Sequence, residues 1–336
     1  MIAHTESPNA YRVKALQYTE PLFSSLDIDG WNLNYTQLST GKYESDATEV
    51  GFSGVQICTA SWNSTLHQSG IAQPNSYIFG IPYEMLGEGR INGQRWCGTT
   101  CAAFRGEEEF DTYAPPMKLL IVSISRDLFA DYLSTVEHVS AEKFLKNGLL
   151  IMNDSARLSF AYDSFTSFVE SCRKDPNIIG CRQVRDGITQ SALEILTPLI
   201  LDNLDLTLSP FTGLSRTQVV RRAREFALSN IDEPLQIIDL CRELGVSRRA
   251  LQYSFQDVLN VNPVAYLRLL RLNGARRDLI NAAEKPVQVQ DVVARWGFWH
   301  FSRFSAEYKK MFNELPSETL RRASQHAGQG QLAAQA

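Results

Sequence analysis

The 336-residue sequence has no apolar run approaching the roughly 18 residues of a membrane span, so a membrane-spanning helix is not expected. Residues 1–9 lack a basic stretch followed by an apolar one, and no secretory signal is read there. Cysteine is scarce, six in all, which argues against a disulfide framework and for a reducing cytoplasm. Histidine is scarcer, with five, and His4, His67 and His138 stand far apart in the first two-thirds of the chain. The closely spaced His and Glu set of a metal-dependent β-barrel is therefore missing. Cys97 and Cys101 do not have the spacing of a common zinc pair, and they are read as ordinary buried thiols. No Walker loop, dinucleotide fingerprint or serine nucleophile elbow is present. These absences argue against an enzyme: no catalytic residue, no metal and no tightly required cofactor is assigned.

Charge is unevenly distributed. Residues 1–214 hold 15 Lys+Arg against 25 Asp+Glu, a balance of −10, whereas residues 215–325 hold 18 against 12, a balance of +6. DNA is a polyanion, and Lys and Arg contacts to phosphate supply most non-specific affinity for it. The basic excess gains meaning because it coincides with a repeat.

Asp239, Leu240 and Gly245 return 52 positions later as Asp291, Val292 and Gly297. Beyond that glycine the offset is 53: Leu251, Phe255 and Leu259 become Phe304, Tyr308 and Phe312, while Asn260, Pro263, Leu267 and Arg268 become Asn313, Pro316, Leu320 and Arg321. Each copy reads as a helix, a glycine turn and a second helix, with proline starting the helix that follows. In the first copy Leu240, Leu244 and Val246 are the apolar side of helix and turn. Ser247 is placed to cap the second helix, and Leu251, Phe255 and Val258 recur at helical spacing toward a core. In the second copy Trp296, Phe298, Phe304, Tyr308 and Phe312 are read as core. Arg248, Arg249, Gln252, Tyr253 and Gln256 remain on the outer face of the first copy. Such a face suits a major groove, where Arg pairs with guanine and Gln with adenine. A helix predicted over 264–281, 18 residues or about 27 Å, spaces the two units by about one DNA turn. Its Arg268, Arg271, Arg276 and Arg277 pair either with phosphate or with acidic neighbours. Lys309 and Lys310 are phosphate contacts or ordinary surface. Trp299 and Phe301 are large for an exposed turn; they pack under the helix or lie against a sugar-phosphate edge.

Ahead of the repeat the texture is different. Residues 1–30 read as a loose arm. Short runs rich in Val, Ile, Tyr, Thr and Trp at 31–38, 43–52, 55–62, 76–81 and 117–125 predict strands of a sandwich, jelly roll or small barrel with room for a ligand. Glu107, Glu108, Glu109, Phe110 and Asp111 read as a solvated acidic loop, or as carboxylates for a cationic amine. From 126 three helical stripes follow, around Phe129 and Leu133, Phe165 and Val169, and Ala192 and Leu196. They serve either as a dimer surface or as cover for the barrel.

The residues 240–255, the Leu267 to Asn273 stretch, Trp296 to Phe304, and Leu315, Pro316 and Ser317 resemble the DNA-binding domain of the AraC/XylS transcription regulators over about 219–323. The resemblance implies an α+β protein: a β-rich, cupin-like (jelly-roll) N-terminal domain with packed helices, and an all-α C-terminal domain of two helix-turn-helix units joined by a long helix. With the Ser-, Thr-, Pro- and Gly-containing 206–215 read as a linker and the low-complexity 324–336 as a disordered tail, the resemblance implies an effector-binding and dimerisation domain over 1–205 (β-rich to about 125) and the DNA-binding domain at 216–323. Arg248, Arg249, Gln252 and Tyr253 of the first recognition helix, and His300, Ser302, Arg303, Ala306 and Lys309 of the second, are the expected DNA-contacting set. Ala306 departs from a common family pattern; lacking a hydrogen-bonding group, it suits a thymine methyl. The implied partners are double-stranded promoter DNA, RNA polymerase, a small-molecule effector and a second copy in a homodimer. Within the family the chain is most similar to regulators of bacterial ethanolamine-utilisation operons, on Trp296, Gly297, Phe298, Trp299 and His300 and on 73–82. That implies ethanolamine as effector with adenosylcobalamin as co-signal. Another amine, or an unrelated effector, fits the same texture, and no pocket residue is assigned.

Overall fold

Alternation of side chains along short strands builds the N-terminal half. The computed structural model describes residues 11–21, 30–137, 149–201, 214–231, 235, 237–282, 287–298 and 300–333. Its strands are β1 (Tyr11–Tyr18), β2 (Asn32–Gln37), β3 (Ser45–Phe52), β4 (Val55–Trp62), β5 (Leu66–Ile71), β6 (Ser76–Tyr83), β7 (Gly89–Ile91), β8 (Gln94–Trp96), β9 (Thr100–Arg105), β10 (Glu109–Ala114), β11 (Met117–Ser125) and β12 (Leu150–Asn153). One antiparallel sheet has seven strands in the order β1-β3-β4-β11-β6-β9-β12; a second has five in the order β2-β5-β10-β7-β8.

The central strands of the larger sheet are buried on both faces. β4 and β11 pair from Val55↔Ile124 to Trp62↔Met117, and polar side chains such as Gln56 on β4 and Ser123 on β11 are buried there with the apolar ones. One face, with Val50, Ile57, Phe79, Leu120 and Val122, meets α1 (Arg126–Thr135), α2 (Ser155–Lys174) and α3 (Arg182–Leu201) through Phe129, Phe165, Val169 and Leu196. The opposite face meets the five-stranded sheet through Ile78, Phe104, Leu119 and Ile121. Each such side chain contributes about 1.5–3 kcal/mol on burial. The helices start at capping side chains: Ser125 accepts from Leu128 N and Asp154 from Arg157 N.

The C-terminal half is helical: α4 (Leu214–Ser229), α5 (Ile237–Leu244), α6 (Arg248–Leu259), α7 (Pro263–Asn281), α8 (Val289–Arg295), α9 (Phe301–Phe312) and α10 (Pro316–Ala333). α8 begins 52 residues after α5 and α9 begins 53 after α6, the offsets of the sequence repeat. α7, with 19 residues or about 28 Å, belongs to both cores, giving Tyr266, Leu267 and Leu270 to the first unit and Leu272, Ala275 and Leu279 to the second.

Several boundaries differ from the sequence reading. The supposed arm contains β1, paired with β3 from Tyr11↔Phe52 to Tyr18↔Ser45. The acidic stretch at 107–111 is not a loop throughout, because Glu109, Phe110 and Asp111 open β10. The linker reading at 206–215 ends early, since α4 starts at Leu214; 206–213 lie outside the described residues. The tail does not break off at 324: α10 continues to Ala333.

Candidate nucleic-acid interface and the cavity behind it

The turns of the two units share one geometry. Gly245 has φ +64° and Gly297 φ +69°, the left-handed conformation that a side chain resists. The second helices end alike, Asn260 at φ 52° and Asn313 at φ 58°. At their starts they differ. The Ser247 side chain accepts from Ala250 N, as its position in the sequence predicts, whereas His300 makes no side-chain capping bond. Leu251, Phe255 and Val258 on α6, and Phe304, Tyr308 and Phe312 on α9, are buried. Phe298 packs on Phe304 with ring centroids 4.8 Å apart.

With the apolar faces turned inward, Arg248, Arg249, Gln252 and Tyr253 are exposed on α6; His300, Ser302, Arg303, Ala306 and Lys309 are exposed at and along α9. Phe301 is exposed as well, while Trp299 lies outside the described residues. The two arginines are held differently. Arg249 Nε and Nη2 donate to the Tyr253 hydroxyl at 3.3 and 3.1 Å, with the guanidinium 5.4 Å from the ring centroid. Arg303 Nε donates to Glu307 Oε1 at 3.1 Å, and the other oxygen of Glu307 takes Arg268 of α7. The connecting-helix arginines do meet acidic partners in two cases, Arg268 with Glu307 and Arg276 with Glu20 and Glu314.

Behind these helices α6 and α7 pack on the outer face of the five-stranded sheet. His67 Nε2 lies 2.9 Å from Asp111 Oδ1, and His67 Nδ1 lies 2.8 Å from the Tyr266 hydroxyl, all three buried. A carboxylate only accepts, so with a neutral imidazole Nε2 donates to Asp111 and Nδ1 accepts from Tyr266. Burial holds the Tyr266 phenol well above its ordinary pKa, as a donor. Asn273 of α7 pairs with the backbone of Gln37, accepting at 3.0 Å and donating at 3.1 Å. Arg276 Nε donates to Glu20 at 2.5 Å, and Arg90 of β7 donates to the Asp257 carbonyl at 2.5 Å. His67 was not legible as a contact residue, because Asp111 is 44 positions away and Tyr266 is 199.

Strand alternation joins this outer face to an internal cavity. On β10 Phe110 and Thr112 line the cavity between the sheets, while Asp111 faces His67 and Tyr113 packs on the core of the first unit. On β5 Gln68 lines the cavity and its neighbour His67 faces Tyr266. The cavity holds about 60 Å³ and is partly open to solvent. Cys101 is buried and Cys97 half-buried, with the Thr99 hydroxyl holding the Cys97 thiol below its ordinary pKa. Among the described residues no group of three or more His, Cys, Asp or Glu is arranged to hold a metal ion, and no helix is long and apolar enough to cross a membrane.

Residues 240–322 match the family described as helix-turn-helix domain. Over 103 residues the chain is 39% identical to a probable thc operon regulatory protein of Rhodococcus erythropolis, covering 31% of each chain. Over 133 residues it is 25% identical to XylDLEGF operon transcriptional activator 2 of Pseudomonas putida, covering 40% of this chain and 85% of that protein. A solved AraC-type transcriptional regulator from Chromobacterium violaceum is 31% identical, covering 33% of this chain and 96% of its own, with a TM-score of 0.31. The chain thus spans about a third of the length of the first of these relatives. Together with the duplicated turn geometry, the match identifies residues 240–322 as a helix-turn-helix domain of the AraC/XylS type.

Proposed function

We propose that this chain is a sequence-specific DNA-binding transcription activator whose β domain senses a small molecule. The observation that carries this reading is the repeat itself: two helix-turn-helix units with matching turns, both turning Arg-bearing faces outward. Arg248, Arg249, Gln252 and Tyr253 read bases in one major groove; Ser302, Arg303 and Ala306 read a second groove one turn away, flanked by His300 and Lys309 on the backbone. The first unit carries most base specificity, since Arg249 is held by a neutral phenol that yields it readily to guanine. RNA polymerase is the partner at the promoter, and the helices over the seven-stranded sheet offer a surface for a homodimer.

Anisotropy titration of the full chain on a panel of duplexes tests the DNA reading. Arg249→Ala and Gln252→Ala should relax base preference, each discrimination being worth about 1–3 kcal/mol. Lys309→Ala should weaken binding to all sequences alike and lower the salt slope by about 1. A wild-type chain without preference among duplexes at moderate salt sinks the proposal.

The effector reaches the DNA-binding half through the five-stranded sheet, whose strands alternate between cavity and α7. Ethanolamine with adenosylcobalamin is the effector reading that the resemblance supplies. A corrinoid is larger than the cavity and would need another surface. Titration calorimetry with both compounds decides it. An effector of another class is favoured by the absence of a buried carboxylate among the described cavity residues.

A further inference from the structure

Three tryptophans wall the cavity between the sheets, and one differs from the other two. Trp31 Nε1 donates to Gln56 Oε1 and Trp62 Nε1 to the Pro115 carbonyl, both at 2.9 Å. Trp96 is 4% exposed, and its indole N–H has no acceptor. The hydroxyl of Ser45, buried on the same wall, has no partner either. An indole nitrogen can only donate, and a buried donor left unmade carries its full desolvation penalty. Most buried polar groups in folded proteins are satisfied, so two orphans on one cavity wall call for a partner from outside the chain.

The rest of the wall defines what that partner is. Phe104 and Phe110 lie 5.3 Å apart in tilted contact, and with the indoles they offer π faces on several sides. Among the described residues around the cavity Asp46 is the one charged group, and it is exposed at the rim, accepting from Gln17 Nε2 at 2.8 Å. An ion entering would lose its hydration with no buried counter-charge to replace it. An ammonium would in addition bring donors to a donor.

We infer that the cavity takes a small, uncharged, ring-bearing molecule with one hydrogen-bond acceptor, seated on the aromatic wall and held by Trp96 Nε1 and Ser45 Oγ. This rests on the reading of the β domain as the effector domain. The test uses the full chain with benzamide, toluene, benzoate, benzylamine and ethanolamine, read by calorimetry, tryptophan fluorescence and melting temperature. Benzamide should bind and raise the melting temperature, with benzoate and both amines at least about tenfold weaker. Trp96→Phe should weaken benzamide by about fivefold to tenfold and leave toluene unchanged. Ser45→Ala, a milder change, should weaken benzamide by about fivefold and carries the test if the first variant does not fold. Tighter binding of benzoate or of either amine than of benzamide overturns the ligand class. Benzamide affinity unmoved in a folded Trp96 or Ser45 variant overturns the assigned donors. Sequence preference for DNA is measured on the same preparation. Its absence defeats the regulator reading and leaves the cavity result standing, whereas silent benzamide on DNA-competent protein defeats the cavity assignment alone.

Discussion

Gly274 of α7 faces the Trp296 ring so closely that a Cβ there would lie 2.1 Å from it. The ring has little freedom to retreat, because Trp296 Nε1 donates to Asp278 Oδ2 at 2.9 Å and the residue is buried among Leu279, Val292 and Phe304. Gly274→Ala should therefore cost about 1–3 kcal/mol, measured by urea unfolding. An unchanged midpoint would mean that the ring gives way. Ser247→Ala should cost about 1 kcal/mol through the lost cap, whereas His300→Ala should stay within about 0.5 kcal/mol, there being no capping bond to lose. Ser247 was legible in the sequence because a cap is local. Gly274 was not, because its reason is a side chain 22 positions further on.

Among elements, the repeated helices were legible to within a residue or two, since a buried stripe, a turn glycine and a starting proline all lie within one unit. β4 and β11 were legible because each is a short run rich in β-branched and apolar residues. β9 and β10 were not. β9 carries Cys101, Ala102 and Ala103, weak strand formers that suit a crowded interior. β10 mixes Glu109, Asp111 and Thr112 with Phe110, because its outer face meets the helical half through the polar Asp111–His67 contact as well as through Tyr113 on the apolar core. The difference between α6 and α9 is likewise tertiary. Arg303 is shared with Glu307, a carboxylate that also ties α9 to Arg268 of α7. On the proposed reading, DNA competes with that carboxylate for Arg303. Glu307→Gln should then raise affinity most for duplexes carrying the base that Arg303 reads, measured on the duplex panel. Weaker binding by a folded variant would show instead that Glu307 sets the angle of α9.

At the scale of the whole molecule, the two halves meet through polar groups whose partners lie hundreds of positions apart, so pattern reading had no access to them. Arg276 is the centre of one such cluster, with Glu20 at 2.5 Å, Glu314 at 2.9 Å and Arg322 bonded to both acids. Burial pushes Arg276 down, but the Glu20 hydrogen bonds and the Tyr308, Glu20 and Glu314 charges more than reverse it, and its pKa stands above the ordinary value. For Glu314 burial acts upward, and the Thr319 hydroxyl with Arg276 and Arg322 outweighs it, holding the carboxyl below its usual range. A carboxylate whose folded pKa is depressed stabilises the protein fully above its unfolded pKa of about 4.3, and that contribution fades as pH falls through the lower, folded value. Glu314→Gln should thus lower the melting temperature clearly at about pH 7, and the gap from wild type should close toward about pH 3. Removing Glu20 is harsher: Glu20→Gln leaves Arg276 buried with one acid fewer, and losing a buried partner costs about 3–5 kcal/mol when nothing replaces it. Because Glu314 and Arg322 remain, the loss should fall below that range. If it reached the full value, Glu20 alone would be what fastens the DNA-binding half to the β domain.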